Sequence, residues 1–497
     1  MSPRQLGAVD LSLTLDHSRP MTLTRQLEDE LRRAIRSGRL APGSRLPSTR
    51  ALAEDLSVSR GVVARAYAQL AAEHYLDVRD RAQAVVHGDR CRAQRREANR
   101  VESRVRWDLR AHSPDLSTFP RRPWLRSLER AVVTGANADL GYGDPAGHPE
   151  LRQELADYLG RSRGVAADAE QILVTSGSTQ TLNLLATLLA RTGRTVVAFE
   201  NPSHANFRTV AERRGLRVNG VPVDRDGIAV DALGSTPDAV VVSPLRQFPT
   251  GVSLSSGRRS ALTAWAAQAQ ALIVEDDYEA GVINDRSPLP CLQQAAPEQV
   301  VYLGSASKLL APGVCLGWCV LPRSMVKDAS EELATGIALV ATLQQLAFAD
   351  FLRRGELDRH LRRTRKLYRA RCEHLVDELR RQFREPALHV PAGGLHVVLE
   401  LESAAVESAA QAAAAELGVR VETVSQHAFA SHEGMRGLVI GYGAVTEAAV
   451  PTVVASLRGA VEKARHERAA GLDSCGPVRS QRGRRPRRAG GDLALRH

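Results

Sequence analysis

Three short stretches of the chain hold groups able to react with, or retain, a small charged ligand. Lys308 stands in "SASK", just after the apolar run "VVYLG". An amine there can attack an aldehyde if its surroundings lower its pKa, although a single lysine is more often a solvated surface charge. "EDDY", residues 275–278, follows "ALIV" and leaves three acids after an apolar run, which is costly unless they are partnered. "SGSTQ" follows "ILVT", and Ser176, Gly177, Ser178 and Thr179 open a helical pattern. The first N–H groups and the dipole of a helix favour an anion, although most such turns are only caps. Together, an anion cradle, an acid and a lysine are the three contacts that pyridoxal 5'-phosphate needs. The phosphate goes to the helix start, the pyridinium nitrogen to an aspartate and the aldehyde to the lysine.

The elements that must position these groups are short apolar runs: "QILVTSG", "RTVVAFE", "LRVNGVPVD", "AVVVSP", "ALIVEDD", "VVYLGS" and "LGWCVLP". They are nearly continuous in Val, Leu and Ile, as strands buried on both faces are. Helical patterns such as "TQTLNLLATLLA" and "SGRRSALTAWAAQAQ" lie between several of them, so the expectation is an α/β layer with a mostly parallel sheet. Ligands of such sheets bind beyond the carboxyl ends of the strands, where the three polar stretches stand.

Residues from about 20 to 88 read differently. Leu23, Leu27, Leu31 and Ile35 repeat every four residues, one apolar stripe on a helix. After the turn "APGSRLPS", Ser48 is a helix N-cap, with Leu52 and Leu56 on one face. After "SVS", Val63, Ala66, Tyr67 and Leu70 form an inner face, which leaves Arg60 and Arg65 to point outward. Two short helices around a tight turn make a helix-turn-helix whose second helix can enter a major groove; the plain alternative is a small helical bundle with a basic surface.

The chain of 497 residues has room for two to four domains. Its formal net charge of +11 fits a nucleic-acid partner without establishing one. Basic clusters at residues 89–106 and 479–488 lack apolar periodicity and read as a linker and a disordered tail. Six scattered cysteines form no zinc-ligand spacing and read as reduced thiols of a cytoplasmic protein. No apolar run reaches membrane-spanning length, and "MSPRQLGAVD" lacks the form of a signal peptide.

The stretch "SGRLAPGSRLPSTRALAEDLSVSRGVVARAYAQLAAEHYL" resembles the winged helix-turn-helix of the GntR family of bacterial transcription regulators. The resemblance implies operator DNA as partner, with Arg45, Ser48, Arg50, Ser59, Arg60, Gly61 and Arg65 at the DNA face. Val62 stands where the family usually has Thr, and "VRDRAQAVVHG" lacks the usual Gly-x-Gly wing tip, which leaves Arg79 and Arg81 to meet phosphate. Further on, "YGDPAGHPELR", "LVTSGSTQ", "SPLRQFPTG", "IVEDDYE", "SASKLLAPGVCLGW" and "GLVIGYG" resemble fold-type I aminotransferases, and the fusion resembles the MocR subfamily of GntR regulators. That implies an α+β winged helix-turn-helix head and an α/β aminotransferase-like domain, with a mostly parallel seven-stranded sheet and a smaller C-terminal α/β domain. It also implies a homodimer formed through that domain. By the same resemblance Lys308 bonds to the aldehyde of pyridoxal phosphate, Asp276 pairs with the pyridinium nitrogen, and Tyr278 faces the ring hydroxyl. Ser178, Thr179, Ser305 and Ser307 surround the phosphate, Tyr142 reaches the phosphate of the other subunit, and His204 stacks on the ring where the family usually has Tyr. The expected boundaries are an arm to residue 19, the head at 20–88, a basic linker at 89–107, the aminotransferase-like domain at 108–465 and a tail at 466–497. Within that domain the large part covers about 140–340 and the small part about 350–465.

Departures from the pattern bear on function. Cys315 stands seven residues after Lys308, where the family usually clamps the phosphate with Arg. A charged hydrogen bond is worth about 1.5–3 kcal/mol, so its loss weakens retention by roughly ten- to a hundredfold. Arg246 is a candidate substitute. Val439 aligns with the arginine that holds a substrate carboxylate, with Arg436 nearby, and Asn206 stands where some relatives place another arginine. The leading expectation is a regulator that senses pyridoxal phosphate, or its adduct with an amine or amino acid, with little or no turnover. An active aminotransferase with an accessory DNA-binding head, and a regulator that has lost the cofactor, are the alternatives.

Overall fold

The computed structural model describes residues 15–16, 21–36, 39–40, 43–78, 83–87, 105–111, 113–279, 281, 290–335, 340–383, 387–391, 393–430 and 432–473. It forms two compact units that divide between Arg104 and Val105. The arm to residue 14, the basic stretch 88–104 and the tail from 474 lie outside the described residues.

In the first unit, helix α1 (Leu23–Arg36) buries Leu27 and Leu31 completely, while Leu23 and Ile35 are half-buried. Helix α2 (Thr49–Asp55) starts where Ser48 is expected to cap it: the Ala51 N–H donates to the Ser48 hydroxyl at 3.2 Å. Helix α3 (Arg60–Ala72) buries Val63, Ala66, Tyr67 and Leu70. The Tyr67 hydroxyl donates to the Pro47 carbonyl at 3.0 Å, which ties the turn before α2 to α3. Strands β1 (Leu76–Asp77) and β2 (Val85–Val86) pair antiparallel, Leu76 opposite Val86, and Arg45 bridges to Val85 along the outer edge. A wing therefore forms without the usual glycines; its tip, with Arg79 and Arg81, lies outside the described residues.

The second unit begins inside the expected linker. Strand β3 (Trp107–Asp108) pairs parallel with β14 (Val419–Arg420), an interaction that no local pattern announces because its partner is so far along the chain. All seven apolar runs form strands: β4 (Ile172–Thr175), β5 (Val196–Asn201), β6 (Arg217–Asp224), β8 (Ala239–Val242), β9 (Leu272–Asp276), β10 (Val300–Ser305) and β11 (Gly317–Val320). The sheet has eight strands rather than seven, in the order β4-β11-β10-β9-β8-β5-β6-β7. The extra strand, β7 (Gly227–Ile228), is a two-residue return of β6 that is too short to show periodicity. Pairs from β10 through β9, β8 and β5 to β6 are parallel, whereas β11 runs antiparallel to both its neighbours. Strand β6 alone departs from the two-faced burial of the others, with exposed residues alternating along it near the sheet edge.

Helices α4 (Arg121–Thr134), α5 (Pro149–Arg163), α6 (Ser178–Arg191), α7 (Ala306–Leu309), α8 (Thr342–Arg353) and α9 (Glu356–Gln382) also belong to this unit. A smaller antiparallel sheet follows, in the order β12 (Leu388–His389), β13 (His396–Glu400), β16 (Gly437–Gly441), β15 (Glu422–Thr423). Helices α10 (Ala404–Glu416) and α11 (Val450–Asp473) share its apolar core. Helix α11 runs past the expected end at residue 465; there Arg465 pairs with Glu402 at 3.1 Å and Arg468 donates to Ser403 at 2.9 Å. No described helix is long and apolar enough to cross a membrane.

Candidate functional site

Strands β9 and β10 are neighbours in the large sheet, β4 lies one strand further on across β11, and the three polar stretches leave from the carboxyl ends of these strands. Gly177, at φ +138°, makes the turn from β4 into α6 in a conformation that side chains rarely adopt. A Cβ on Gly317 would lie 2.6 Å from the Gly177 Cα, so two glycines let this turn rest against β11. Ser178 and Thr179 then begin α6 with its unpaired N–H groups, and Thr179 is exposed. At the end of β10, the Ser305 hydroxyl accepts the Ser307 N–H at 3.1 Å and donates to the Ser307 hydroxyl at 3.0 Å. These groups form a corner of hydroxyls and a helix start, of a kind that suits an anion.

The three consecutive acids have three separate fates. Glu275 accepts the Leu292 and Gln293 N–H groups at 3.0 and 3.1 Å. Asp277 accepts from Arg163 Nε at 2.6 Å and from the Tyr302 hydroxyl at 2.7 Å, all buried. Asp276 is equally buried, yet neither of its oxygens has a hydrogen-bond partner among the described residues. Desolvation first, and the Asp277 charge second, push its pKa up to about 7, while Lys308 and the nearby Ser178 hydroxyl pull the other way. The buried Tyr278 hydroxyl likewise has no partner among the described residues. Such orphaned groups are expensive unless something absent from the chain completes them.

Lys308 lies on α7 and retains some exposed surface, but its amine is deep enough that desolvation lowers its pKa to about 8 against the pull of Glu279, Glu422 and Asp276. Lys308 and Ser178 both act on Asp276, so the lysine, the aspartate and the helix start stand near one another. A bidentate acceptor, an unpaired phenol and a softened amine fit the pyridine nitrogen, ring hydroxyl and aldehyde of pyridoxal phosphate.

Other expected residues stand differently. His204 lies flat on Phe248, ring centroids 4.0 Å apart at 2°, so one of its faces is already stacked on protein. Tyr142 is 99% exposed, and Leu140, two residues before it, and Leu125, Val132 and Val133 of α4 are exposed as well. Cys315 is exposed at φ 47° and reaches only the Pro312 carbonyl, at 3.5 Å. Arg246 does not stand in as a phosphate clamp: its buried guanidinium pairs with Glu279 at 3.3 Å and donates to the Gly393 carbonyl. Arg436 donates to the His432 carbonyl, Asn206 is exposed, and Val439 packs with Phe248 and Tyr278.

Five residues that the sequence did not single out also belong here: Phe248, Glu279, His396, Glu422 and His427. His427 and His396 meet the Phe248 ring edge-on at 4.7 and 5.3 Å. Phe248 and Glu279 sit inside recognisable motifs, but only the fold brings His396, Glu422 and His427 to them.

In the first unit, Arg45, Ser48, Arg50, Ser59, Arg60, Gly61 and Arg65 are all exposed. Ser59 precedes α3 without using its hydroxyl as a cap, unlike Ser48 before α2. Arg60 Nε donates to the Thr49 hydroxyl at 3.3 Å, and Arg50 pairs with Glu54 at 3.1 Å.

Comparison with known proteins adds identity to this geometry. The family described as "Aminotransferase class I and II" matches residues 124–457, and "Bacterial regulatory proteins, gntR family" matches residues 23–86. The chain is 30% identical to the HTH-type pyridoxine biosynthesis transcriptional regulator PdxR of Corynebacterium glutamicum, over 91% of this chain and 99% of that one. It is 29% identical to the probable rhizopine catabolism regulatory protein MocR of Rhizobium meliloti, over 90% and 95%. Among solved structures, an archaeal alanine:glyoxylate aminotransferase superposes with a TM-score of 0.67 at 24% identity, covering 74% of this chain and 94% of that one. The α-aminoadipate aminotransferase LysN of Thermus thermophilus, complexed with N-(5'-phosphopyridoxyl)-L-leucine, gives 0.67 at 23%, over 74% and 95%.

Proposed function

The chain belongs to the gntR-family, HTH-type transcriptional regulators that carry a class I and II aminotransferase domain, and from that membership we propose that it binds operator DNA and answers to pyridoxal phosphate. One observation carries the reading: Asp276 and Tyr278 are buried without a hydrogen-bond partner among the described residues, and Asp276 acts on a lysine with a lowered pKa.

When bound, the cofactor supplies an electrophilic aldehyde on an electron-poor ring. Lys308 offers the amine that holds the aldehyde. Asp276 shares a proton with the pyridine nitrogen, and Tyr278 orients the ring through its hydroxyl. Ser178, Thr179, Ser305 and Ser307 donate to the phosphate at the start of α6, and His204 stacks on the ring. Exposed Tyr142 and the apolar face of α4 support a homodimer in which one subunit completes the other's phosphate site. Val439 stands where a carboxylate-binding arginine is usual, and Arg246 and Arg436 are engaged by Glu279 and by the Gly393 and His432 carbonyls, which supports sensing with little turnover. Acting on chromosomal DNA, the regulator works in the cytoplasm.

DNA selected from a random pool by the full-length chain provides the test. Its affinity is expected to change when pyridoxal phosphate is added, because an effector and DNA that share a coupling free energy shift each other's binding. Equal affinities would sink the sensing claim, and repeated turnover of an amino donor with a 2-oxoacid would make the chain an enzyme.

Cys315 provides a separate expectation. Cys315→Arg adds a guanidinium at a position that already has positive φ, so the backbone strain is unchanged. Cofactor affinity, measured by equilibrium dialysis, is expected to rise by roughly ten- to a hundredfold. No gain would show that the phosphate lies beyond reach of this position.

A further inference from the structure

Strand β16 places Val439 directly opposite Glu422 of β15. Residues directly opposite on antiparallel strands share a face, and this face is the one on which Val439 packs with Ala111, Phe248 and Tyr278. At the register where the motif "GLVIGYG" aligns with a carboxylate-binding arginine, the pocket therefore presents an apolar residue and, beside it, an acid. The Ala111 N–H, a backbone donor of the kind that receives a carboxylate, donates to Glu422 Oε2 at 3.1 Å. Glu422 Oε1 lies 3.9 Å from His427 Nε2. Of the other acids near Lys308, Glu279 pairs with Arg246 and Asp276 faces the pyridine nitrogen in the reading above; Arg110 also acts on Glu422 and is itself held by Asp108 at 2.7 Å.

We infer that this pocket selects an amine whose far end is cationic, a short diamine, over an amino acid. The inference rests on the reading that Lys308 holds the cofactor and that the effector amine enters beside it. One end of the diamine meets the cofactor, and the other meets Glu422. A ligand carboxylate at the same place would face Glu422 across a part-buried site, where like charges repel far more strongly than in water, and would find the Ala111 donor taken.

Three four-carbon amines isolate the effect, because they differ only at the far end: 1,4-diaminobutane, n-butylamine and 4-aminobutanoate. The full-length chain is first loaded with pyridoxal phosphate, and loading is verified by absorbance and by borohydride fixation to Lys308. Each amine is then titrated near pH 7.5, where free aliphatic amines of pKa about 10.4 are charged, while the cofactor spectrum and the heat of binding are followed. Diaminobutane is expected to bind roughly ten- to a hundredfold more tightly than 4-aminobutanoate, with butylamine between them. Glu422→Gln keeps an oxygen for the Ala111 N–H and removes the charge, so it is expected to collapse most of the gap between the two charged ligands. Equal or tighter binding of 4-aminobutanoate by the loaded protein, or an unchanged gap in Glu422→Gln, would overturn the diamine preference alone. Failure of the chain to load cofactor at Lys308 would overturn the underlying reading, and this inference with it.

Discussion

Lys308→Met is expected to abolish borohydride-fixed labelling by pyridoxal phosphate and to weaken cofactor retention by about a hundredfold. Methionine keeps most of the packed stem and removes the amine. An amine titrating at about 8 is on the order of a tenth or more neutral at pH 7.5, against about a thousandth for an ordinary lysine. Native uptake is therefore expected to quicken as pH rises through about 8, a limb that the variant lacks. Stability separates loss of chemistry from loss of fold. The folded pKa of Lys308 lies below its unfolded value, so the unfolded chain binds more protons between about pH 8 and 10.5. The resulting penalty on the native protein is fully present below about pH 8 and disappears as pH approaches 10.5. The variant should melt no earlier than the native chain at pH 7, and any advantage should shrink by pH 10. Full labelling in Lys308→Met would exclude this lysine as the attachment point.

At the DNA face, Arg60→Ala is expected to cost roughly ten- to a hundredfold in operator affinity, and to narrow the gap between operator and random DNA. Arg60 opens α3, is exposed, and is steadied by Thr49 on the neighbouring helix. A base-reading arginine loses discrimination when removed; a phosphate-binding one weakens all sequences alike. Arg45→Ala is the contrasting case, because Arg45 stands on the strand edge beside the wing. It is expected to weaken both DNAs similarly and to reduce the salt slope of log affinity by about one. Fluorescence anisotropy across a salt series reads both. If Arg60→Ala weakens operator and random DNA equally, its role moves to the backbone.

Much of this architecture was legible because its signals are local. Seven apolar runs became strands, and four inward positions of α3 became core, since burial on one face or two leaves a pattern within a few residues. Ser48 was readable as a cap for the same reason. What escaped depends on distant pairing. The linker boundary shifted because Trp107 pairs beside Val419, and the sheet gained β7 from a turn too short to show a period. Arg246 looked free for phosphate because nothing in "SPLRQFPTG" discloses that Glu279 and the Gly393 carbonyl hold it. Glu422 was unreadable, since it lies on a two-residue strand and only long-range pairing sets it opposite Val439 and beside the Ala111 N–H.

The three acids at the end of β9 also show how a costly sequence is kept affordable. Two of them are satisfied inside the protein, and of the three Asp276 alone has no hydrogen-bond partner among the described residues.

The bond between Ala111 and Glu422 has a mechanical side. Residues 105–111 are the opening stretch of the second unit: Leu109 donates to the Arg420 carbonyl at 2.8 Å and accepts from Gly441 at 2.7 Å. The wall of the ligand pocket thus begins only a few residues after the basic stretch that leads from the DNA-binding head. A ligand that reorganises Glu422 would therefore act on the first stretch of the second unit, which follows the basic residues directly in sequence.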